Sequence, residues 1–122
     1  MNSRNINNTK ILIVGLGGIG SQLTELIVPA LEISGLQVEV NLMDGDVVEQ
    51  KNLAHQRFNN TELNQPKVTA LSKRHSTYEN VKVIPHVNNL TSIGQLDGYD
   101  IIVVAVDREK PRNIVHDSEA QW

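Results

Sequence analysis

The chain has 122 residues, 39% of them hydrophobic, with 11 Lys+Arg against 14 Asp+Glu and a net charge of −3. That length suits one domain with a modest core, and the slight acidic surplus argues against a nucleic-acid binder held by phosphate contacts. Cysteine is absent, which excludes a disulfide scaffold, a thiolate zinc site and a cysteine nucleophile.

Residues 1–9 are polar and Asn-rich, and the expectation is a flexible tail ahead of one domain over 10–122. The tail has no apolar stretch of the signal-peptide kind. Ile11-Leu12-Ile13-Val14 is a short continuous apolar run ending in glycines, the pattern of a buried parallel strand. From Ile19 the period becomes helical: Leu23, Leu26, Ile27, Ala30 and Leu31 form one apolar stripe. Pro29 inside it predicts a kink or an early end, and Ser34-Gly35 is a plausible stop. Val38–Met43 alternates and reads as a second strand.

Residues 44–65 have no sustained periodicity and are rich in Asn, Asp and Gln. A loop of that length in a compact domain points to function. Pro66 is placed for the first turn of a second helix, on which Val68, Leu71 and His75 share a face; Lys73 and Arg74 read as its solvent side. Val81–Ile84 is a third strand, Ser92–Leu96 a short helix, and residues 101–106 a fourth strand. That last run is the longest apolar one and falls far short of the roughly 20 residues a membrane helix needs. A soluble, cytoplasmic protein is expected.

Alternating strands and helices with β-branched strands imply an α/β fold with a parallel sheet. Right-handed crossovers give a Rossmann-like sheet of strand order 3-2-1-4. A doubly wound sheet usually continues beyond four strands, so the expectation is the N-terminal half of a larger domain.

Gly15-Leu16-Gly17-Gly18-Ile19-Gly20 fits G-x-G-x-x-G between a strand and a helix. In that context the glycines permit a tight turn and close backbone approach, and the helix N-terminus attracts phosphate. Asp44 closes the second strand, placed to accept the ribose hydroxyls of an adenine nucleotide. These features alone do not separate NAD from ATP.

The next segment separates them. Residues 44–58, from Asp44-Gly45-Asp46 through Asn52-Leu53-Ala54-His55-Gln56-Arg57, resemble the D-x-D-x-V-x-x-x-N-L-x-R-Q signature of the ThiF/MoeB/HesA family, adenylating enzymes related to ubiquitin-activating enzymes. Gly15–Gly20 resembles that family's G-x-G-G-[IL]-G loop. Gln65-Pro66-Lys67-Val68 is similar to its G-x-x-K element, and Val104-Ala105-Val106-Asp107 to its strand ending in Asp. Four motifs in order are far more specific than any one.

The resemblance implies ATP-dependent adenylation of the C-terminal Gly carboxylate of a ubiquitin-like or sulfur-carrier protein, with release of pyrophosphate. It implies that Gly15, Gly17, Gly18 and Gly20 form the phosphate loop and that Asp44 holds ribose. Asn52, His55, Gln56 and Lys67 would line the nucleotide, with Asp46 a further member, and Asp107 would bind Mg²⁺, which prefers oxygen ligands. It also implies a homodimer or heterodimer. No nucleic-acid or membrane partner and no zinc site in this chain are expected.

Three departures stand out. His55-Gln56 replaces the family's Arg-Gln, with Arg57 one position later as a substitute guanidinium. Arg108 follows Asp107 where Asn is usual. The family's C-terminal half and its arginine-bearing N-terminal helix are not in this sequence. The His55 substitution and the short C-terminal side motivate an alternative, a non-catalytic ThiF-fold binding or dimerisation partner. An NAD-binding Rossmann oxidoreductase is a third reading; it uses Gly15–Gly20 and Asp44 but leaves Asn52, Gln56, Lys67 and Asp107 without a task. The four histidines are scattered without ligand spacing, and Ser21 reads as a cap or lining of the first helix.

Overall fold

A computed structural model describes residues 8–54 and 56–105. Four strands, β1 (Thr9–Val14), β2 (Val38–Met43), β3 (Val81–His86) and β4 (Ile101–Val104), form one sheet of order β3-β2-β1-β4. All three pairings are parallel. The Rossmann-like α/β order expected from the sequence is the one observed. Thr9, assigned to the tail by sequence, instead opens β1 opposite Val38. Residue 106, at the end of the expected fourth strand, lies outside the described residues.

The apolar run of β1 is explained by burial on both faces. Ile11 and Ile13 join Val40, Leu42, Val68, Leu71 and Val81 beneath the helices. Leu12 and Val14 join Met43, Leu90, Leu96 and Ile102 on the opposite face. The strand ends are level: Val14 is in register with Met43 and Val104, and Met43 with His86. Gly15, Asp44 and Ala105 therefore leave the sheet at the same end, where β1 lies between β2 and β4. Ligands of open α/β sheets bind at such a reversal of strand order.

Helix α1 (Gly18–Ser34) runs through Pro29 and stops at Gly35, whose φ of 80° is left-handed. Of the kink or early end expected at Pro29, the early end does not occur and the helix stops at the expected Ser34-Gly35; one missing donor did not outweigh the remaining helix and its packing. The apolar stripe is corrected in phase. Leu26 is 71% exposed, whereas Ser21, Thr24 and Val28 are fully buried, and Ile27 and Leu31 pack against the core that contains Val28. Small side chains let the first turns approach the sheet. Their hydroxyls are satisfied within the helix, Ser21 Oγ donating to the Gly17 carbonyl and Thr24 Oγ1 to that of Gly20. Ser21 thus lines the helix without capping it.

Helix α2 (Lys67–Arg74) begins one residue after Pro66, which precedes the first turn and accepts the Ala70 N–H. Residues 44–65 contain two 3-10 turns, Gln50–Asn52 and Asn60–Glu62. The expected short helix near residue 92 is a 3-10 turn, Ile93–Leu96. No described helix is long and apolar enough to cross a membrane.

Candidate functional site

The glycine turn is held by two positions. Gly15 has φ 95°, open to glycine at little cost. At Gly20 a Cβ would stand 1.8 Å from the Gly15 carbonyl oxygen, so only glycine lets α1 close against the turn. Gly17 precedes the helix and Gly18 is its first residue, leaving the amides of the first turn without intrahelical acceptors.

Asp44 follows β2 directly and is 9% exposed. Its Oδ2 accepts the Leu16 N–H at 2.7 Å and its Oδ1 accepts the Asp46 N–H at 2.7 Å. Each carboxylate oxygen has a second lone-pair direction free for a ligand hydroxyl. One side chain therefore ties the glycine turn to the loop after β2.

That loop brings Lys67 back to the same place. Residues 46–48 run antiparallel to 64–67: Val47 bridges Pro66, the Val48 N–H meets the Gln65 carbonyl, and the Lys67 N–H meets the Asp46 carbonyl at 3.0 Å. Asn64 stands at the glycine of the G-x-x-K element and takes φ 69°, a conformation Asn tolerates better than most residues. Lys67 is only 5% exposed, and no carboxylate among the described residues pairs with its Nζ. A buried ammonium without an anion is costly.

Asn52 is buried, its Oδ1 accepting the Glu49 N–H at 2.7 Å, which leaves Nδ2 as a donor. The Gln56 N–H bonds the Asn52 carbonyl. Gln56 Nε2 lies 3.7 Å from where a Cβ on Gly17 would stand, and its Oε1 is a buried acceptor with no partner among the described residues. The Arg57 N–H donates to Ser21 Oγ at 3.2 Å, so the backbone of this exposed residue sits beside the first turn of α1. Asp46 is exposed, and its backbone bonds both the Asp44 carboxylate and the Lys67 N–H. His55, Asp107 and Arg108 lie outside the described residues, and no metal-binding cluster occurs among those described.

Two further groups were not singled out by sequence. Arg74, expected in solvent, lies partly buried against Glu62, Glu25 and the Arg57 carbonyl. His75 Nε2 meets Glu25 Oε2 at 2.5 Å, with the ring 5.1 Å from that of Tyr78. Burial pushes the Glu25 carboxyl up, but hydrogen bonds from His75 and Arg74 and their charges hold it below its ordinary value of 4.5. Hydrogen bonding to Glu62, foremost, raises Arg74 against its own desolvation. Spacing placed His75 on the face of Val68 and Leu71 but showed neither partner, since both contacts need Glu25 of α1 to meet the end of α2.

Comparison with known proteins gives one consistent picture. The ThiF family model matches residues 2–120. The chain is 33% identical over 119 residues to the adenylyltransferase and sulfurtransferase MOCS3 of Danio rerio, covering 93% of this chain and 25% of that protein. It is 29% identical to a ubiquitin-activating enzyme E1-like protein of Saccharomyces cerevisiae, covering 93% of this chain and 18% of the relative. Among solved structures, E. coli MccB with AMPCPP and MccA superposes with a TM-score of 0.70 at 28% identity, covering 90% of this chain and 33% of MccB. The chain thus spans about a fifth to a third of the length of these relatives.

Proposed function

Because this chain belongs to the ThiF family, we propose that it is the ATP-binding portion of an enzyme that adenylates the C-terminal carboxylate of a ubiquitin-like or sulfur-carrier protein. The observation that carries this reading is Lys67, a nearly buried cation without an acidic partner among the described residues, bonded through the Asp46 backbone to the Asp44 carboxylate. A nucleotide supplies what both lack, hydroxyls for Asp44 and an anion for Lys67. The relative named an adenylyltransferase and the MccB complex with an ATP analogue support the same ligand class.

ATP supplies an electrophilic α-phosphorus: a carboxylate oxygen of the carrier forms a bond to it, the bond to pyrophosphate breaks, and an acyl adenylate remains. The chain's residues manage charge. Two anions must approach, and negative charge grows on the departing pyrophosphate. Amides at Gly17 and Gly18 donate to phosphate oxygens, and Asn52 Nδ2 adds a donor. Lys67 neutralises phosphate charge, and Arg57 serves in place of the family arginine at position 55. Gln56 Oε1 accepts a hydrogen bond from the nucleotide or a water. Asp44 fixes the ribose and so orients the α-phosphorus. Asp107 would hold Mg²⁺, which would supply countercharge to the phosphates. A homodimer or heterodimer completes the proposal.

A second reading keeps nucleotide binding without turnover, and the His55-Gln56 pair favours it because imidazole lacks the planar phosphate-binding fork of arginine. Pyrophosphate exchange into ATP separates the two. The primary reading predicts exchange dependent on a carrier with a free C-terminal glycine. Binding without exchange selects the second reading, and preference for NAD over ATP overturns both.

A further inference from the structure

Arg74, the last residue of α2, joins four parts of the chain. Its Nε donates to Glu62 Oε2 at 2.8 Å and its Nη2 to Glu62 Oε1, while Nη1 donates to Glu25 of α1. Nη2 also donates to the Arg57 carbonyl at 2.5 Å, and the guanidinium carbon stands 5.8 Å from the centroid of the Phe58 ring. On the other side of the same residue, the Arg57 N–H donates to Ser21 Oγ, which itself donates to the Gly17 carbonyl. The backbone of Arg57 is thus gripped at both ends, by Ser21 at the glycine turn and by Arg74 behind it. Its side chain is left exposed.

This is an unusual investment for a surface loop, because ordering an exposed backbone costs entropy and the two carboxylates must be partly desolvated. We infer that Arg74 is a positioning residue: it fixes residues 56–58 against the glycine turn and so sets where the Arg57 guanidinium stands relative to bound phosphate. The planar fork matters, since one guanidinium serves two carboxylates and a carbonyl at once, which an ammonium does not reproduce. The effect on nucleotide rests on the adenylation reading above; the clamp on the loop does not.

The test uses the full chain with Arg74→Lys, Arg74→Gln and, as an exposed neighbour, Lys73→Gln. Arg74→Lys keeps a cation between Glu25 and Glu62 and so guards against loss of the fold. Amide hydrogen exchange is read first. The Arg57 and Phe58 amides are expected to exchange roughly tenfold faster or more in Arg74→Lys, the scale of one lost bond involving a charged group. Amides of β1 and β2 are expected to hold, as is the whole Lys73→Gln variant. Unchanged exchange at residues 57 and 58 overturns the clamp. The second reading is ATP affinity in Arg57→Ala, Arg74→Lys and the double variant. If Arg74 acts through Arg57, the double variant binds no more weakly than Arg57→Ala; independent, multiplying losses overturn the inference. A wild-type chain that binds no ATP removes the adenylation reading, and the exchange result still decides the clamp.

Discussion

The Leu16 amide donates to Asp44 Oδ2 across 2.7 Å, so the acid that follows β2 holds the glycine turn that follows β1. The proposed ribose contact would add a second job to this carboxylate. One lone pair on each oxygen is spent on the protein, on Leu16 and Asp46, and the others remain for a ligand.

That sharing sets the first prediction. In Asp44→Asn one oxygen becomes an N–H₂ donor facing a backbone N–H, so either Leu16 or Asp46 loses its acceptor. The expected cost is about 1–3 kcal/mol in stability. Affinity should fall for adenosine, AMP and ATP alike, because ribose is common to them. Thermal unfolding and titration of the three ligands check this, and a loss confined to ATP contradicts the assignment of Asp44 to ribose.

Lys67 should behave in the opposite way. Lys67→Met retains the Lys67 N–H to Asp46 carbonyl bond and removes a buried, unpaired charge. The ligand-free protein is expected to become more stable, in line with apolar replacement of buried ions. ATP affinity should fall by about 1–3 kcal/mol, with adenosine unaffected. Melting temperatures with and without ATP read both effects together.

Gly20→Ala should be the most damaging glycine substitution of the turn. The added methyl meets the Gly15 carbonyl oxygen at 1.8 Å, a backbone group that cannot rotate away, and α1 must shift. Overpacking of this kind costs about 1–3 kcal/mol or more. Gly94→Ala, with nothing within 4 Å, is the matched control and should leave the melting temperature unchanged.

Acid sensitivity follows from two carboxylates on α1. Partial desolvation pushes Glu32 up, but the backbone N–H groups of Asn80, Val81 and Glu79 donate to it and hold it below its ordinary 4.5. Glu25 is lowered likewise against its own burial. A carboxyl depressed by folding binds fewer protons folded than unfolded, so its stabilisation is complete above the unfolded value and is lost as pH falls through the folded one. Stability should hold from pH 7 to about 5 and decline below about 4.5. Glu32→Gln should flatten that decline; an unaltered acid limb counts against the role given to Glu32.

The sheet and its order were legible because four apolar runs alternate with helical segments and the parallel crossovers have one hand. The glycine turn, Asp44 and Lys67 were legible as motifs. The phase of α1 was not, because hydrophobicity placed Leu26 inward, whereas Ser21 and Thr24 are the fully buried positions, their hydroxyls donating to carbonyls four residues earlier. Arg74 was hidden for a similar reason. A cation at the end of a short helix reads as solvated until Glu25, 49 positions earlier, and the Arg57 carbonyl are seen beside it.

The most direct measurement is a crystal structure of the chain with a non-hydrolysable ATP analogue. The ribose hydroxyls are expected within hydrogen-bond distance of the Asp44 carboxylate, and a phosphate oxygen within the same distance of Lys67 Nζ. An analogue seated at the opposite end of the sheet, among Lys10, Gln37 and Lys82, or absent at saturating concentration, would contradict the account.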